Sequence, residues 1–378
     1  MPRFRPVRLA LLGLVLAVLV AAGVYRDWLQ AQVHTVVVLA TTIEAPVLTW
    51  AVKALTDEPV VTELAVAGAP TTLARPADSP PWPGVVFLNG ATRRGRRHPD
   101  VQDLARGLAR AGFLVLVPDL PGLRLGEITD RTVGGAVEVT RAAAARGDVD
   151  NGRVSLVGVS VGATLALLAA ERPAARNRVS LVAGFAPYTD LRKVIRLATT
   201  GTYGLDGRQI RYESDPYLRL AIARSLVAGL GGTGARRNLL ADLERVDDDT
   251  HSPLATMRRP RPLDRETRAV VRLLLNRNPR RFERLYAALP TGVRASVRRL
   301  SPLVMAERLR VPVELASAPE DEYFPPAESR ALAARAPDVR VTVTRTLDHA
   351  VPEPSFRDLA DLLRFDGFVV RVLRRAAE

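Results

Sequence analysis

A serine flanked by glycines is the strongest chemical signal in the sequence. Gly158-Val159-Ser160-Val161-Gly162 follows an apolar run, residues 154–157, and precedes an Ala- and Leu-rich stretch of helical composition, residues 163–171. A serine at a sharp strand-to-helix turn projects its hydroxyl, and the glycines let neighbouring backbone approach without a Cβ clash. The turn also directs the first amides of the helix at a developing anion. This context predicts a nucleophilic Ser160; the alternative is an ordinary Gly-Ser turn.

A serine hydroxyl becomes a good nucleophile only when a base accepts its proton. The sequence contains four histidines. His34 lies beside an apolar N-terminal segment, His98 lies in a loop after a predicted strand, and His251 lies in a region of helical composition. Only His349 follows a late core strand, from which its ring could reach over the sheet to Ser160. The sequence therefore predicts His349 as the base, with a surface histidine as the alternative.

The imidazole needs a carboxylate that orients it and stabilises its charged form. Three adjacent acidic residues, Glu320, Asp321 and Glu322, come just after a predicted strand at residues 311–316. Asp190 is a more distant candidate. The chain order of serine, acid and histidine agrees with a serine nucleophile on a parallel sheet, but it does not choose among the three neighbours.

The elements that would position these side chains alternate regularly from about residue 59 onward. Apolar runs typical of buried strands alternate with helical stretches, which predicts an α/β fold: a mostly parallel sheet with helices on both faces. A helical stretch with Gly-rich and Pro-rich breaks interrupts the series and predicts an inserted cap. The predicted strands are residues 60–66, 71–75, 84–88, 113–117, 153–159, 179–185, 311–316 and 339–344; the predicted helices outside the cap are residues 100–111, 130–146, 163–171 and 328–336 and a last one from residue 355.

The N-terminal residues predict a membrane anchor. Residues 9–25 are uncharged and mostly apolar and follow three arginines; at 1.5 Å per residue they would span about 26 Å as a helix. The arginines predict a cytoplasmic N-terminus and a catalytic domain outside the cytoplasm. The alternative is a cleaved signal peptide and a secreted protein, for which residues 21–23 offer small side chains. A second apolar stretch, residues 33–55, is interpreted as interfacial or packed, with a membrane hairpin left open.

These observations divide the chain into five parts. They are a signal-anchor or transmembrane segment (1–30), a linker or interfacial segment (31–58), the first part of the α/β core (59–190), a helical cap or lid (191–305) and the second part of the core (306–378).

Composition narrows the classes of function. The chain is 47% hydrophobic and has no cysteine, which excludes disulfides, cysteine metal sites and thiol catalysis. Its net charge is +14, yet it has no zinc finger, aromatic-basic RNA motif or basic zipper, so we expect no nucleic-acid partner. Residues 257–299 hold thirteen arginines against three acidic residues. This predicts solvated helix faces or, alternatively, a surface for anionic lipid headgroups.

The chain resembles the α/β-hydrolase superfamily over residues 60–190 and 300–370, particularly its esterase, dienelactone-hydrolase and prolyl-oligopeptidase-like branches. In that family the strand before the nucleophile often begins as residues 150–154 do here. The acid often lies in a G-x-x-D-x-x-x-P loop. Ala318 replaces the glycine of that loop, while Asp321 and Pro325 match. The resemblance therefore implies Asp321 as the acid.

The same resemblance implies an oxyanion hole built from backbone amides. Relatives commonly begin this loop with His-Gly, whereas this sequence has Asn89-Gly90. Because the donors are backbone N–H groups, the asparagine does not abolish the hole, and the implied donors are the amides of Ala91 and Val161.

We therefore expect a serine hydrolase that acts on small-molecule or lipid-like carboxylic esters and needs no metal or organic cofactor. One alternative is a peptidase or acyltransferase with the same triad. The other is a non-catalytic, membrane-associated binding protein on the same scaffold.

Overall fold

The computed structural model describes residues 26–42, 46–205, 207–231, 234–248, 254–259, 261–349, 351–352 and 358–378. The predicted membrane segment, residues 9–25, lies outside the described residues. Within the described part of the chain, no helix combines the length and the apolar character needed to cross a bilayer.

Twelve strands lie in the described residues, and eight of them form one central sheet. The predicted boundaries agree with most of these strands to within about two residues. The strands are β1 (Val60–Val66), β2 (Ala69–Arg75), β3 (Trp82–Leu88), β4 (Leu114–Pro118), β5 (Val149–Val159), β6 (Val179–Phe185), β7 (Thr202–Leu205), β8 (Arg208–Arg211), β9 (Val313–Ser317), β10 (Val339–Val343), β11 (Leu347–Asp348) and β12 (Val351–Pro352).

The helices include those predicted between the strands and several within the cap. They are α1 (Arg26–Thr42), α2 (Pro46–Leu55), α3 (Pro99–Arg110), α4 (Asp130–Ala144), α5 (Val161–Glu171), α6 (Pro173–Arg176), α7 (Leu191–Thr200), α8 (Pro216–Ala228), α9 (Gly234–Glu244), α10 (Arg265–Leu274), α11 (Phe282–Ala287), α12 (Thr291–Arg299), α13 (Ala327–Ala333) and α14 (Leu359–Ala377).

The central sheet has the strand order β1-β2-β4-β3-β5-β6-β9-β10. The pairs β1–β2 and β2–β4 are antiparallel, and the other neighbours are parallel. Every residue of β4 and of β9 is buried, as expected of strands covered by helices on both faces. The predicted α/β fold with a mostly parallel sheet is confirmed.

Two hydrophobic clusters cover the two faces of this sheet. One contains Leu156 of β5 with Leu165 of α5 and extends into α4 and the cap. The other contains Val157 of β5 with side chains of α1, α3 and α14. Successive residues of β5 point to opposite faces, so this strand contributes to both clusters.

The region predicted as the cap, residues 191–305, shares its core with the first face of the sheet. Leu218 and Leu226 of α8 and Val270 of α10 belong to the same buried cluster as Leu165. The cap also contains the hairpin of β7 and β8, which the sequence analysis did not predict.

Residues 31–58, predicted as a linker or interfacial segment, contain most of α1 and all of α2. Helix α1 packs against α3 and α14. Val37 and Val38 of α1 are buried in the second cluster, whereas Val33 and Val36 are exposed. Helix α1 therefore adds to the second face of the sheet and keeps an apolar outer side.

Candidate functional site

Ser160 lies at the turn between β5 and α5, with φ 55° and ψ −124°. A positive φ is uncommon for a residue with a Cβ and stores backbone strain. The turn is held because the backbone N–H of Ser160 donates to Phe185 O at 2.7 Å, and Ser160 O accepts from the Ala163 N–H at 3.0 Å. The sequence thus folds locally as the pentapeptide predicted.

The two glycines of the pentapeptide are required by close backbone contacts. A Cβ on Gly158 would lie 2.5 Å from Ala163 N, and a Cβ on Gly162 would lie 2.0 Å from Leu88 O. Neither distance is compatible with a side chain. Glycine at both positions therefore allows α5 to start directly against the ends of β3 and β5.

Asp321 follows β9 and is completely buried. Its Oδ1 accepts hydrogen bonds from the backbone N–H groups of Tyr323 and Phe324, both at 2.8 Å. Its Oδ2 lies 2.7 Å from His349 Nδ1. The Tyr212 hydroxyl donates to the Asp321 carbonyl oxygen. The carboxylate is therefore fixed on one side by backbone and faces the predicted base on the other.

The competing acids lie elsewhere. Glu320 and Glu322 are exposed. Asp190 caps the N-terminus of α7, where its Oδ1 accepts from the backbone N–H groups of Arg192 and Lys193. Among the described hydrogen bonds, Asp321 is the carboxylate that meets His349.

His349 follows β11 in a positive-φ conformation, with φ 48°. Its ring packs on Tyr323, with ring centroids 4.5 Å apart. An ionised carboxylate only accepts hydrogen bonds, so Nδ1 carries the proton that bonds Asp321, and Nε2 is left as the basic nitrogen.

The other histidines occupy different environments. His34 packs edge-on against Phe113, and burial lowers the pKa of its imidazole. His98 lies near the candidate site, with Nδ1 3.7 Å from Asp100 Oδ2. His251 lies outside the described residues.

A cavity of about 700 Å³ brings the predicted residues together. Ser160 and His349 both line it, and so do Ala91 and Val161, the predicted oxyanion donors. Helix α8 of the cap forms the opposite wall through residues 216–218 and Ala221. The cavity therefore lies between the carboxyl ends of the strands and the cap, where open α/β sheets place ligands.

An arginine–aspartate network supports the cap side of this cavity. The Arg224 side chain is fully buried and donates to Asp248 Oδ1 at 2.9 Å and to the carbonyls of Leu125, Leu243 and Val246. Arg93 binds the other oxygen of Asp248 at 3.0 Å. Sequence reasoning missed this network because its members come from distant segments without a shared motif.

Two tyrosines also line the cavity and were not predicted. Burial and the nearby Asp248 raise the pKa of Tyr217, and burial and Asp215 raise the pKa of Tyr323. Both hydroxyls therefore stay protonated at neutral pH and can act as donors. Within the described part of the chain, no group of three or more His, Asp or Glu side chains could hold a metal ion.

Comparison with known proteins agrees with the resemblance seen in the sequence. The profile of the Alpha/beta hydrolase family matches residues 85–362, well over half of the chain. A comparison with curated proteins found no match.

Several solved structures are similar to this chain at low sequence identity. Est1E from Butyrivibrio proteoclasticus is 12% identical, with 84% of this chain and 99% of that chain covered and a TM-score of 0.46. Dipeptidyl peptidase 4 from Porphyromonas gingivalis is 12% identical, with 86% and 37% covered and a TM-score of 0.49. A putative dienelactone hydrolase from Klebsiella pneumoniae is 14% identical, with 83% and 100% covered and a TM-score of 0.44.

Proposed function

Because the chain belongs to the alpha/beta hydrolase family, we propose that it hydrolyses carboxylic esters through an acyl-enzyme intermediate on Ser160. One observation carries the proposal: the buried Asp321 carboxylate holds His349 Nδ1 at 2.7 Å beside the cavity that contains the strained Ser160 turn. A nucleophile, a base and an acid that orients the base are the parts that serine hydrolysis requires.

The first half of the reaction forms the acyl-enzyme. Ser160 Oγ attacks the ester carbonyl carbon while His349 Nε2 accepts the hydroxyl proton, and Asp321 stabilises the resulting imidazolium. The backbone N–H groups of Ala91 and Val161 donate to the oxyanion, and losing one such donor costs about 3 kcal/mol of barrier. The intermediate collapses with cleavage of the C–O bond, and His349 gives its proton to the departing alcohol.

The second half releases the acid. A water molecule attacks the acyl carbon while His349 accepts a proton from it, and the bond from the acyl carbon to Ser160 Oγ then breaks. The proton returns to Ser160, so the enzyme is regenerated and no cofactor is consumed.

A fluorophosphonate probe tests this assignment. The full-length protein and its Ser160→Ala variant are treated with the probe, and hydrolysis of p-nitrophenyl acetate is measured in parallel. Ser155→Ala is a matched control because Ser155 lies on the same strand with its hydroxyl 3.1 Å from that of Ser180. Labelling and hydrolysis should persist in the control and disappear in Ser160→Ala. Equal labelling of both variants would contradict the nucleophile, and cleavage of peptide anilides in preference to esters would favour the peptidase.

We also propose that residues 9–25 anchor the chain in a membrane, with the hydrolase domain outside the cytoplasm. The uncharged segment and the preceding arginines support this. Val33 of α1 and Trp50 of α2, which follow the segment in the chain, are 61% and 72% exposed. A C-terminal alkaline phosphatase fusion should be active and sediment with membranes. An inactive fusion would contradict the export, and activity in the soluble fraction would favour a cleaved signal peptide.

A further inference from the structure

A second cavity, of about 380 Å³, lies on the other face of the sheet from the cap. Strands β3, β5 and β6 form its floor, and helices α1, α3 and α14 form its walls. The sheet contributes Val85, Phe87 and Val157, and α3 contributes Leu104. Ser160 lines only the first cavity, and the helices that enclose the second cavity differ from those around the first.

The second cavity opens beside the candidate catalytic residues. Ala91, Thr92, His98 and His349 line both cavities. Ala91 is a predicted oxyanion donor and His349 is the predicted base. An ester carbonyl placed at Ser160 would therefore lie at the mouth of the second cavity.

The interior of the cavity is apolar. Its lining includes Val85 and Phe87 of β3 and continues to Gly90, beyond the end of that strand at Leu88. Among the described lining residues, polar side chains occur only at Thr92, His98, Asp100 and His349, which belong to the mouth. Water gains little in such a space because it finds no hydrogen-bond partners there.

We propose that this cavity binds the acyl chain of a medium- or long-chain ester whose carbonyl lies at Ser160. The inference rests on the proposed function and names its class of substrate. The acyl group stays attached to Ser160 while the alcohol leaves and water enters. The acyl chain therefore needs a binding site that differs from the path used by the alcohol and water. The first cavity has charged wall residues, among them Arg94, Asp215 and Asp247, and suits the exchange of alcohol and water.

Activity should rise with the length of the acyl chain. For p-nitrophenyl esters from acetate to dodecanoate, assayed below their critical micelle concentrations, kcat/KM should increase about three- to fourfold per methylene until the cavity is filled. This corresponds to about 0.8 kcal/mol for each buried methylene. A rate that does not change with acyl length would overturn the inference while the proposed ester hydrolysis stands.

Two variants narrow the cavity from different walls. Leu104→Trp on α3 and Leu39→Trp on α1 both place an indole at a half-buried lining position. Their loss in kcat/KM should grow with chain length. Arg106→Trp is the matched control because Arg106 lies on α3 but is exposed, and it should keep the wild-type profile. Equal profiles for all three variants would overturn the inference, as would dependence on alcohol length rather than acyl length.

A binding experiment separates this inference from the proposed function. Dodecanoate is titrated into Ser160→Ala by calorimetry, with the double variant Ser160→Ala/Leu104→Trp as comparison. Binding that the tryptophan weakens at least tenfold supports the acyl site even if no ester is hydrolysed. Absence of binding, or binding that the tryptophan leaves unchanged, would overturn it.

Discussion

Asp321 and His349 are joined by a hydrogen bond of 2.7 Å between Oδ2 and Nδ1, and the accepting carboxylate has no exposure to solvent. Two backbone N–H groups hold the other carboxylate oxygen at 2.8 Å. The imidazole is therefore oriented by a group that is itself fixed. Such support determines which ring nitrogen carries the proton.

Replacing Asp321 by Asn should lower kcat for ester hydrolysis about 10⁴-fold, because the amide favours the wrong tautomer of His349. Steady-state kinetics with a p-nitrophenyl ester measure the loss. Glu320→Gln and Glu322→Gln are matched controls, since both side chains are exposed, and their kcat should change little. Comparable losses of kcat in all three variants would contradict the assignment of Asp321 as the acid that orients His349.

Replacing Gly162 by Ala should prevent the Ser160 turn from forming, because the added Cβ would lie 2.0 Å from Leu88 O. We expect a large fall in Tm and loss of fluorophosphonate labelling. Gly134→Ala is the control: Gly134 lies within α4, and a Cβ there meets nothing within 4 Å. This control should stabilise the protein by up to about 1 kcal/mol. A Gly162→Ala protein with wild-type Tm and labelling would contradict the steric argument.

The buried carboxyl group of Glu171 should make the thermal stability of the protein depend on pH. Burial raises the pKa of its carboxyl to about 8, from 4.5 in the unfolded chain. The folded state therefore holds this proton more tightly than the unfolded chain does. The folded state is stabilised by this difference at low pH, and it loses that stabilisation as the pH rises from about 4.5 through 8. Glu171→Gln should match wild-type Tm at pH 4 or below and exceed it at pH 9. Glu138→Gln, at an exposed position of α4, is the control. Equal Tm values for wild type and Glu171→Gln at pH 9 would argue against this assignment.

The buried Arg224 side chain should contribute strongly to the stability of the cap. Arg224→Met removes the buried donor of the Leu125 and Leu243 carbonyl oxygens and leaves Asp248 and the Val246 carbonyl oxygen with Arg93 alone. We expect this to cost about 2–4 kcal/mol in the free energy of unfolding. Urea denaturation measures this cost. Arg245→Met removes a 74% exposed arginine paired with Asp242 and should cost less than about 1 kcal/mol. Similar losses in the free energy of unfolding for the two variants would show that the buried contacts of Arg224 stabilise the protein no more than a surface ion pair does.

The sheet could be predicted closely where apolar runs end at clear turn residues. β6 has the predicted limits, Val179–Phe185. β5 begins at Val149, four residues earlier than predicted. The prediction began the strand too late because Asn151 and Gly152 are residues typical of turns. Their positive φ values occur within the strand, between the residues where its register to β3 shifts. The local signal was correct, but tertiary pairing extended the strand across it.

The cap was harder to predict because its contacts join distant segments. Tyr203 of the unpredicted β7 donates its hydroxyl proton to Glu328 Oε1, and the two residues are 125 positions apart. Glu328 Oε2 in turn accepts from the backbone N–H groups of Thr189 and Asp190. Each of these residues looks like an ordinary polar surface residue in the sequence, and only the fold makes them a buried network.

The residues of the candidate site also differ in how far the sequence could predict them. The pentapeptide around Ser160 carries its own steric reasons and could be located from the sequence. The choice of Asp321 over its two glutamate neighbours depends on which carboxylate faces inward, and that is a property of the loop after β9. The second cavity left no sequence signal, because Leu104 and Val369 follow the pattern of ordinary core-facing helix positions.

The continuous core between the cap and the sheet has a consequence for how substrates are selected. Leu218 and Leu226 of α8 pack in the same buried cluster as Leu165 of α5, so a swinging motion of the cap would expose leucine side chains on both partners. We therefore expect the cap to stay in place over the sheet when substrate enters. On that expectation, the side chains that line the cavity, and not an opening motion of the cap, would determine which substrates reach Ser160, and substitutions of those side chains would change the substrate range.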